Sequence, residues 1–207
     1  MPQKRDSFEC FRRWNFRENP AKLPVMETLM IQLPLRKDQH AFNLKRWEEV
    51  CADPELAKIP NRIETNRHGN LVMLPLPGGM HGYRQSEIGY LLQNQLPHGR
   101  CVSECPISTA DGVRAADVSW LTKERHDPIA KMSCFPIAPE ICVEIVSPSN
   151  SKAEIKEKTA LYFDAGAEEV WVCDLEGGMS FFVKNDPGNA AETSALCPDF
   201  LRVIELS

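Results

Sequence analysis

The stretch Pro139-Glu140-Ile141-Cys142-Val143-Glu144-Ile145-Val146-Ser147-Pro148-Ser149 decides how this chain is read. From Ile141 to Val146 every side chain is apolar except Glu144. A short apolar run bounded by turn residues predicts a buried strand. A carboxylate inside such a strand is costly unless it is protonated, paired or bound to a cation. Strand alternation puts Glu144 on the face of Cys142 and Val146, opposite Ile141, Val143 and Ile145. Ser147-Pro148-Ser149 then turns the chain into a helix that Ser149 or Ser151 caps and Gly166 closes.

Two features flank this strand and address the lone carboxylate. Downstream, Glu154, Lys158 and Tyr162 recur every four residues, a step that advances a helix face by only about 40°, so they form one stripe. Glu154 and Lys158 alone would be an ordinary solvated pair, as Lys152 and Lys156 are expected to be solvated. Upstream, Asp117 sits in Ala115-Ala116-Asp117-Val118-Ser119-Trp120-Leu121, a second apolar strand with one carboxylate. Two carboxylates on adjacent strands form a site for a hard cation, and the lysine stripe lies close to it.

Outward from this centre the pattern is mixed. Asn43 is read as the N-cap of a short helix carrying Leu44, Trp47 and Val50. Residues 62–65 and 71–74 flank His68-Gly69-Asn70 as a hairpin. Ile88, Leu91, Leu92 and Leu96 give residues 83–96 helical spacing. Strands are expected over 101–108 and 113–121, with an irregular connection over 122–139. A hairpin follows over 169–174 and 179–184, and a last strand over 200–206. The expected fold is α/β (α+β), a central mixed sheet flanked by helices, over residues 42–207. Residues 1–41 read as an N-terminal extension in which basic and aromatic residues mix without core periodicity.

Composition narrows the function classes. The chain has 207 residues, 43% hydrophobic and 26% charged, which is ordinary globular usage. No apolar run is long enough to span a bilayer, and early charges oppose a signal peptide, so a cytoplasmic protein is expected. A net charge of −5 argues against a basic body held on DNA by phosphate contacts alone. The eight cysteines contain no CxxC pair and read as reduced core thiols. The five histidines lack a metal-ligand spacing and are expected in loops or on the surface. Ser147 and Ser149 lack a GxSxG elbow.

The ordered set of motifs resembles the Uma-type restriction-endonuclease family, long classed as a domain of unknown function and placed in the PD-(D/E)XK nuclease superfamily. The resemblance rests on residues 139–149, then Glu154, Lys158, Tyr162, Gly166 and Glu169-Val170-Trp171-Val172-Cys173-Asp174. Upstream it includes Arg62-Ile63-Glu64, Gly69-Asn70-Leu71-Val72-Met73, Gly78-Gly79, Arg84, Glu87-Ile88 and Asp117-Val118-Ser119-Trp120. It implies a restriction-endonuclease-like core with Asp117 and Glu144 as catalytic metal ligands for Mg²⁺ or Mn²⁺. Lys158 would serve in place of the superfamily lysine, whose position Val146 occupies. Ala116 stands where the superfamily has proline. The Ile145 carbonyl and Glu87 are further expected ligands, while Glu64 is expected to be an outward hairpin charge. The implied activity is metal-dependent hydrolysis of DNA phosphodiesters. Cutting two strands needs two sites, so a homodimer paired through the 179–184 hairpin or the C-terminal strand is expected. The alternatives are a catalytically silent interaction module and a phosphohydrolase of smaller substrates.

Overall fold

The computed structural model describes residues 36–204. Helix α1 (Arg36–Ala52) leads into the hairpin of β1 (Arg62–Thr65) and β2 (Leu71–Leu74), and then into α2 (Gly79–Gln95). Two long strands follow, β3 (Gly99–Thr109) and β4 (Gly112–Thr122), and a short helix α3 (Lys123–His126). After them come β5 (Ile141–Ile145), α4 (Lys152–Ala165), β6 (Glu169–Cys173), β7 (Met179–Val183) and β8 (Asp186–Ala191).

Six strands form one sheet in the order β3-β4-β5-β6-β7-β8, and β1-β2 is a separate ribbon. Within the large sheet only β5 and β6 run parallel. A parallel pair needs a crossover, and α4 is that crossover. It is capped as its residues dictate: the Ser151 side chain accepts from the Glu154 N–H, and Gly166 closes the helix at φ 113°.

Each sheet face carries its own core. On one, Ile88 and Leu92 of α2 pack with Val118, Trp120, Val143, Ile145 and Trp171. On the other, Tyr162 and Phe163 of α4 pack with Ile107, Cys142 and Val170. The alternation read along residues 141–145 therefore separates the two layers, with Glu144 on the α4 side through its bond to Tyr162. Both β3 and β4 change phase midway. Cys101 packs in the α2 layer and Cys105 in the α4 layer, while Val118 is in the first and Ala116 in the second. The slip falls where pairing passes from Ser103↔Val118 to Cys105↔Ala116, leaving Glu104 opposite Asp117 outside the ladder. Glu104 takes φ 51° there, the one positive value at a non-glycine among the described residues. Such irregularities recur beside functional sites because they re-aim a side chain.

The structure departs from expectation at three places. Asn43 is inside α1, not at its start. It is 1% exposed, and its side-chain amide donates to Ser108 Oγ and to the carbonyls of Thr109 and Gly112, tying the helix to the β3-β4 turn. The helix thus begins before the boundary expected at 41/42, while the rest of the expected extension lies outside the described residues. No strand forms over 200–204; that segment contributes an isolated bridge, Gly178↔Val203. The sheet is instead completed by β8, whose Asp-Pro-Gly-Asn start reads as a turn but is tolerated on an exposed edge strand, where proline's missing N–H costs no ladder bond. Because β8 covers β7, the 179–184 segment has no free edge to offer a second copy, and the expected C-terminal edge is absent among the described residues.

Candidate active site

Five elements converge on one cavity of about 380 Å³. Its lining includes Arg62 of β1, His81 of α2, Asp117 of β4, Glu144 and Ile145 of β5, and Lys158 of α4. The segments 74–78 and 147–150 complete its rim.

Asp117 is 2% exposed. Its Oδ2 accepts from the Ile145 N–H at 2.7 Å and faces His81 Nε2 at 3.3 Å. Arg62 Nη2 lies 2.9 Å from Oδ1 in a buried ion pair. Burial works against ionisation of Asp117, but the His81 hydrogen bond, the charge of Arg62 and the Ile145 N–H outweigh it and hold its carboxyl below the usual range.

Glu144 is 4% exposed and is tied to α4. Lys158 Nζ lies 3.2 and 3.4 Å from its two oxygens, and Tyr162 donates its hydroxyl to Oε1 at 2.6 Å. Burial pushes the Glu144 carboxyl up to about 7, with Lys158 opposing and Asp117 reinforcing the shift. Burial alone would push the Lys158 ammonium down, but Glu144 and Glu64 hold it above the ordinary lysine value. Lys158 therefore stays protonated in this setting. It is a charge and a donor rather than a base.

Glu64 corrects an expectation. It is 3% exposed rather than outward, because the β1-β2 ribbon docks against β4. The Val113 N–H donates to Thr65 Oγ1, Arg114 donates to the Thr65 carbonyl, and the Ala115 N–H donates to Glu64 Oε1. The docking brings Glu64 Oε1 to 3.0 Å from Lys158 Nζ. Lys158 thus joins two carboxylates from different elements.

His81 also departs from the surface role expected for the histidines: it is 8% exposed. Helix α2 starts at Gly79, so His81, Ile88 and Leu92 share its buried stripe. Had the apolar period been extended seven residues back from Ile88, His81 would have been found. Glu87 does not line the cavity. It stands two positions beyond Gln85, about 200° round the helix, whereas Gln85 reaches inward to donate to the Asp117 carbonyl and to Glu104. Arg62, Glu64, His81 and Glu104 are the residues sequence reasoning missed in this role. Lys152 and Lys156 are exposed as expected. Among the described residues, no group of three or more His, Cys, Asp or Glu forms a ready metal cage, and no helix is long and apolar enough to cross a membrane.

Comparison with known proteins agrees with the fold. A crystal structure titled as a putative nuclease belonging to DUF820, from Anabaena variabilis ATCC 29413, matches with TM-score 0.55 and 21% identity, over 66% of this chain and 80% of that one. No curated protein matches the chain. The Uma2 family, described as "Putative restriction endonuclease", matches residues 49–200, which include Arg62, Glu64, Asp117, Glu144 and Lys158. The chain belongs to that family.

Proposed function

We propose that the chain is a divalent-cation-dependent endonuclease that hydrolyses DNA phosphodiester bonds, with Asp117, Glu144 and Lys158 as its catalytic centre. The observation that carries this reading is the convergence of Asp117 and Glu144, two buried carboxylates from adjacent strands, on the wall of one cavity. Two carboxylates buried together are costly unless cations offset them, and a bound divalent cation does so directly.

The donor set fits Mg²⁺ or Mn²⁺. Asp117 and Glu144 bring carboxylate oxygens to one cavity that Ile145 also lines, its carbonyl being the further candidate donor, and Mg²⁺ needs only one or two carboxylates because it keeps several waters. When bound, the cation would offset charge on the phosphoryl group and lower the pKa of water. The protein's own residues supply the rest. The Ile145 N–H fixes the Asp117 carboxylate in one orientation, and Tyr162 does the same for Glu144. Lys158, kept cationic by Glu64 and Glu144 and also donating to the Ala115 carbonyl, neutralises negative charge at the site. It does not take the water's proton. Phosphoryl transfer is served chiefly by positioning and charge, which this constellation provides.

A second reading is the interaction module without catalysis. It is favoured by one observation: Glu144 and Glu64 already have Lys158, and Asp117 already has Arg62, as cationic partners. Titration of the purified chain with Mn²⁺ separates the two. The nuclease reading expects saturable binding that Asp117→Asn removes. Binding that is absent, or unaltered by that change, supports the interaction module.

A further inference from the structure

Arg62 is the residue of this cavity whose chemistry the catalytic set does not use. It begins β1, its side chain is 19% exposed, and its guanidinium lies on the cavity wall. Nη2 sits 2.9 Å from Asp117 Oδ1 and 2.7 Å from Glu104 Oε2. Both contacts are made by this one nitrogen, and Nε is buried without an acceptor. A structural arginine is normally held by several directed bonds. Arg84 of α2 is such a case, donating from two nitrogens to the carbonyls of Asp174 and Leu175 although its Nε is also without a partner. Arg62 is held by two ion pairs from Nη2, and its guanidinium donors lie beside the cavity.

Those donors form a planar fork, the geometry that recognises phosphate oxygens in pairs. Asp117 Oδ1 is also the atom the proposed cation would take. A divalent cation on that oxygen repels a guanidinium 2.9 Å from it, leaving Glu104 as the only remaining anionic contact. Glu104 is placed for this by the break in the β3-β4 ladder, and Gln85 fixes its other oxygen.

Resting on the nuclease reading, we propose that Arg62 is the substrate phosphate-binding residue of this site, held on Asp117 until a divalent cation takes over that carboxylate. In the cation-free protein Arg62 neutralises Asp117. In the loaded protein it turns its fork from the carboxylate to the phosphodiester.

Two binding measurements on the full chain test this, and neither needs turnover. The first is titration of the wild type and Arg62→Ala with Mn²⁺ alone. The second is fluorescence anisotropy of a short DNA duplex in Ca²⁺. Removal of a competitor for Asp117 should tighten Mn²⁺ binding at least about threefold, an effect general damage to the fold cannot produce. Loss of a charge-assisted phosphate contact should weaken duplex binding at least about tenfold. Arg62→Lys should restore part of the duplex affinity, since it keeps the charge and loses the fork. Arg62→Gln repeats both measurements if the alanine variant fails to fold. Unchanged or weaker Mn²⁺ binding in the variant, or unchanged duplex affinity, overturns the assignment of Arg62 alone. Absence of Mn²⁺ binding by the wild type removes the nuclease reading and this assignment together.

Discussion

Lys158 Nζ lies between Glu144 at 3.2 Å and Glu64 at 3.0 Å, so one side chain compensates two buried carboxylates. Deleting one partner of a buried ion pair leaves an unpaired charge in low dielectric, a loss of about 3 kcal/mol or more. Lys158→Met should therefore lower unfolding free energy by that amount in urea denaturation, and a loss below about 1 kcal/mol would contradict the ion-pair account. Glu144 carries a second prediction. Its folded pKa of about 7 lies above the ordinary 4.5, so the native state binds the extra proton between those values. The stability this contributes is present below pH 4.5 and is lost as pH rises through 7. Denaturation in chelator at pH 5 and pH 7 should show wild-type stability falling relative to Glu144→Gln over that interval, and parallel curves would refute the shift.

The elements closest to the site depend on one turn. Gly112 holds φ 87°, and a Cβ there would stand 2.2 Å from the Thr65 carbonyl oxygen. The clash is with backbone, so neither side can yield cheaply. Gly112→Ala should push the β1-β2 ribbon off β4, carrying Arg62 away from the cavity and Glu64 away from Lys158, with a loss of about 2 kcal/mol or more. A thermal melt within a degree of wild type would show that the ribbon is not anchored there. This docking also marks the limit of what the sequence discloses. The strand at 141–145, the helix after it and the β3-β4 pair were legible because their apolar periods are strong and their caps are conventional. Asp117 and Glu144 were legible as lone charges in apolar runs. Glu64 was not, because nothing local distinguishes a hairpin carboxylate in water from one pressed against another sheet. Glu104 was hidden for a different reason: its placement follows from a phase slip that neither strand's sequence announces. The edge strand β8 was missed because its residues are those of a turn and it buries almost nothing.

For the whole molecule, a net charge of −5 means that DNA is not held by a general positive field. The cavity wall carries Asp117 and Glu144, with Glu64 behind Lys158, and these would repel a phosphate unless Lys158, Arg62 and a bound cation offset them. Duplex affinity should accordingly be weak in EDTA and rise at least about tenfold in Ca²⁺. Equal affinity in the two conditions, read by anisotropy, would place the DNA-binding surface elsewhere.

The central claim is that Asp117 and Glu144 hold a divalent cation for phosphodiester hydrolysis. Nicking of supercoiled plasmid, followed for the wild type beside Asp117→Asn in Mg²⁺ and in Mn²⁺, tests it most directly. Asp117→Asn keeps the side chain's size and an oxygen acceptor for the Ile145 N–H, so a folded protein is expected. The wild type should nick the plasmid, EDTA should abolish this, and the variant should not nick. Cleavage that persists in folded Asp117→Asn, or none by the folded wild type on plasmid at millimolar cation, would contradict it.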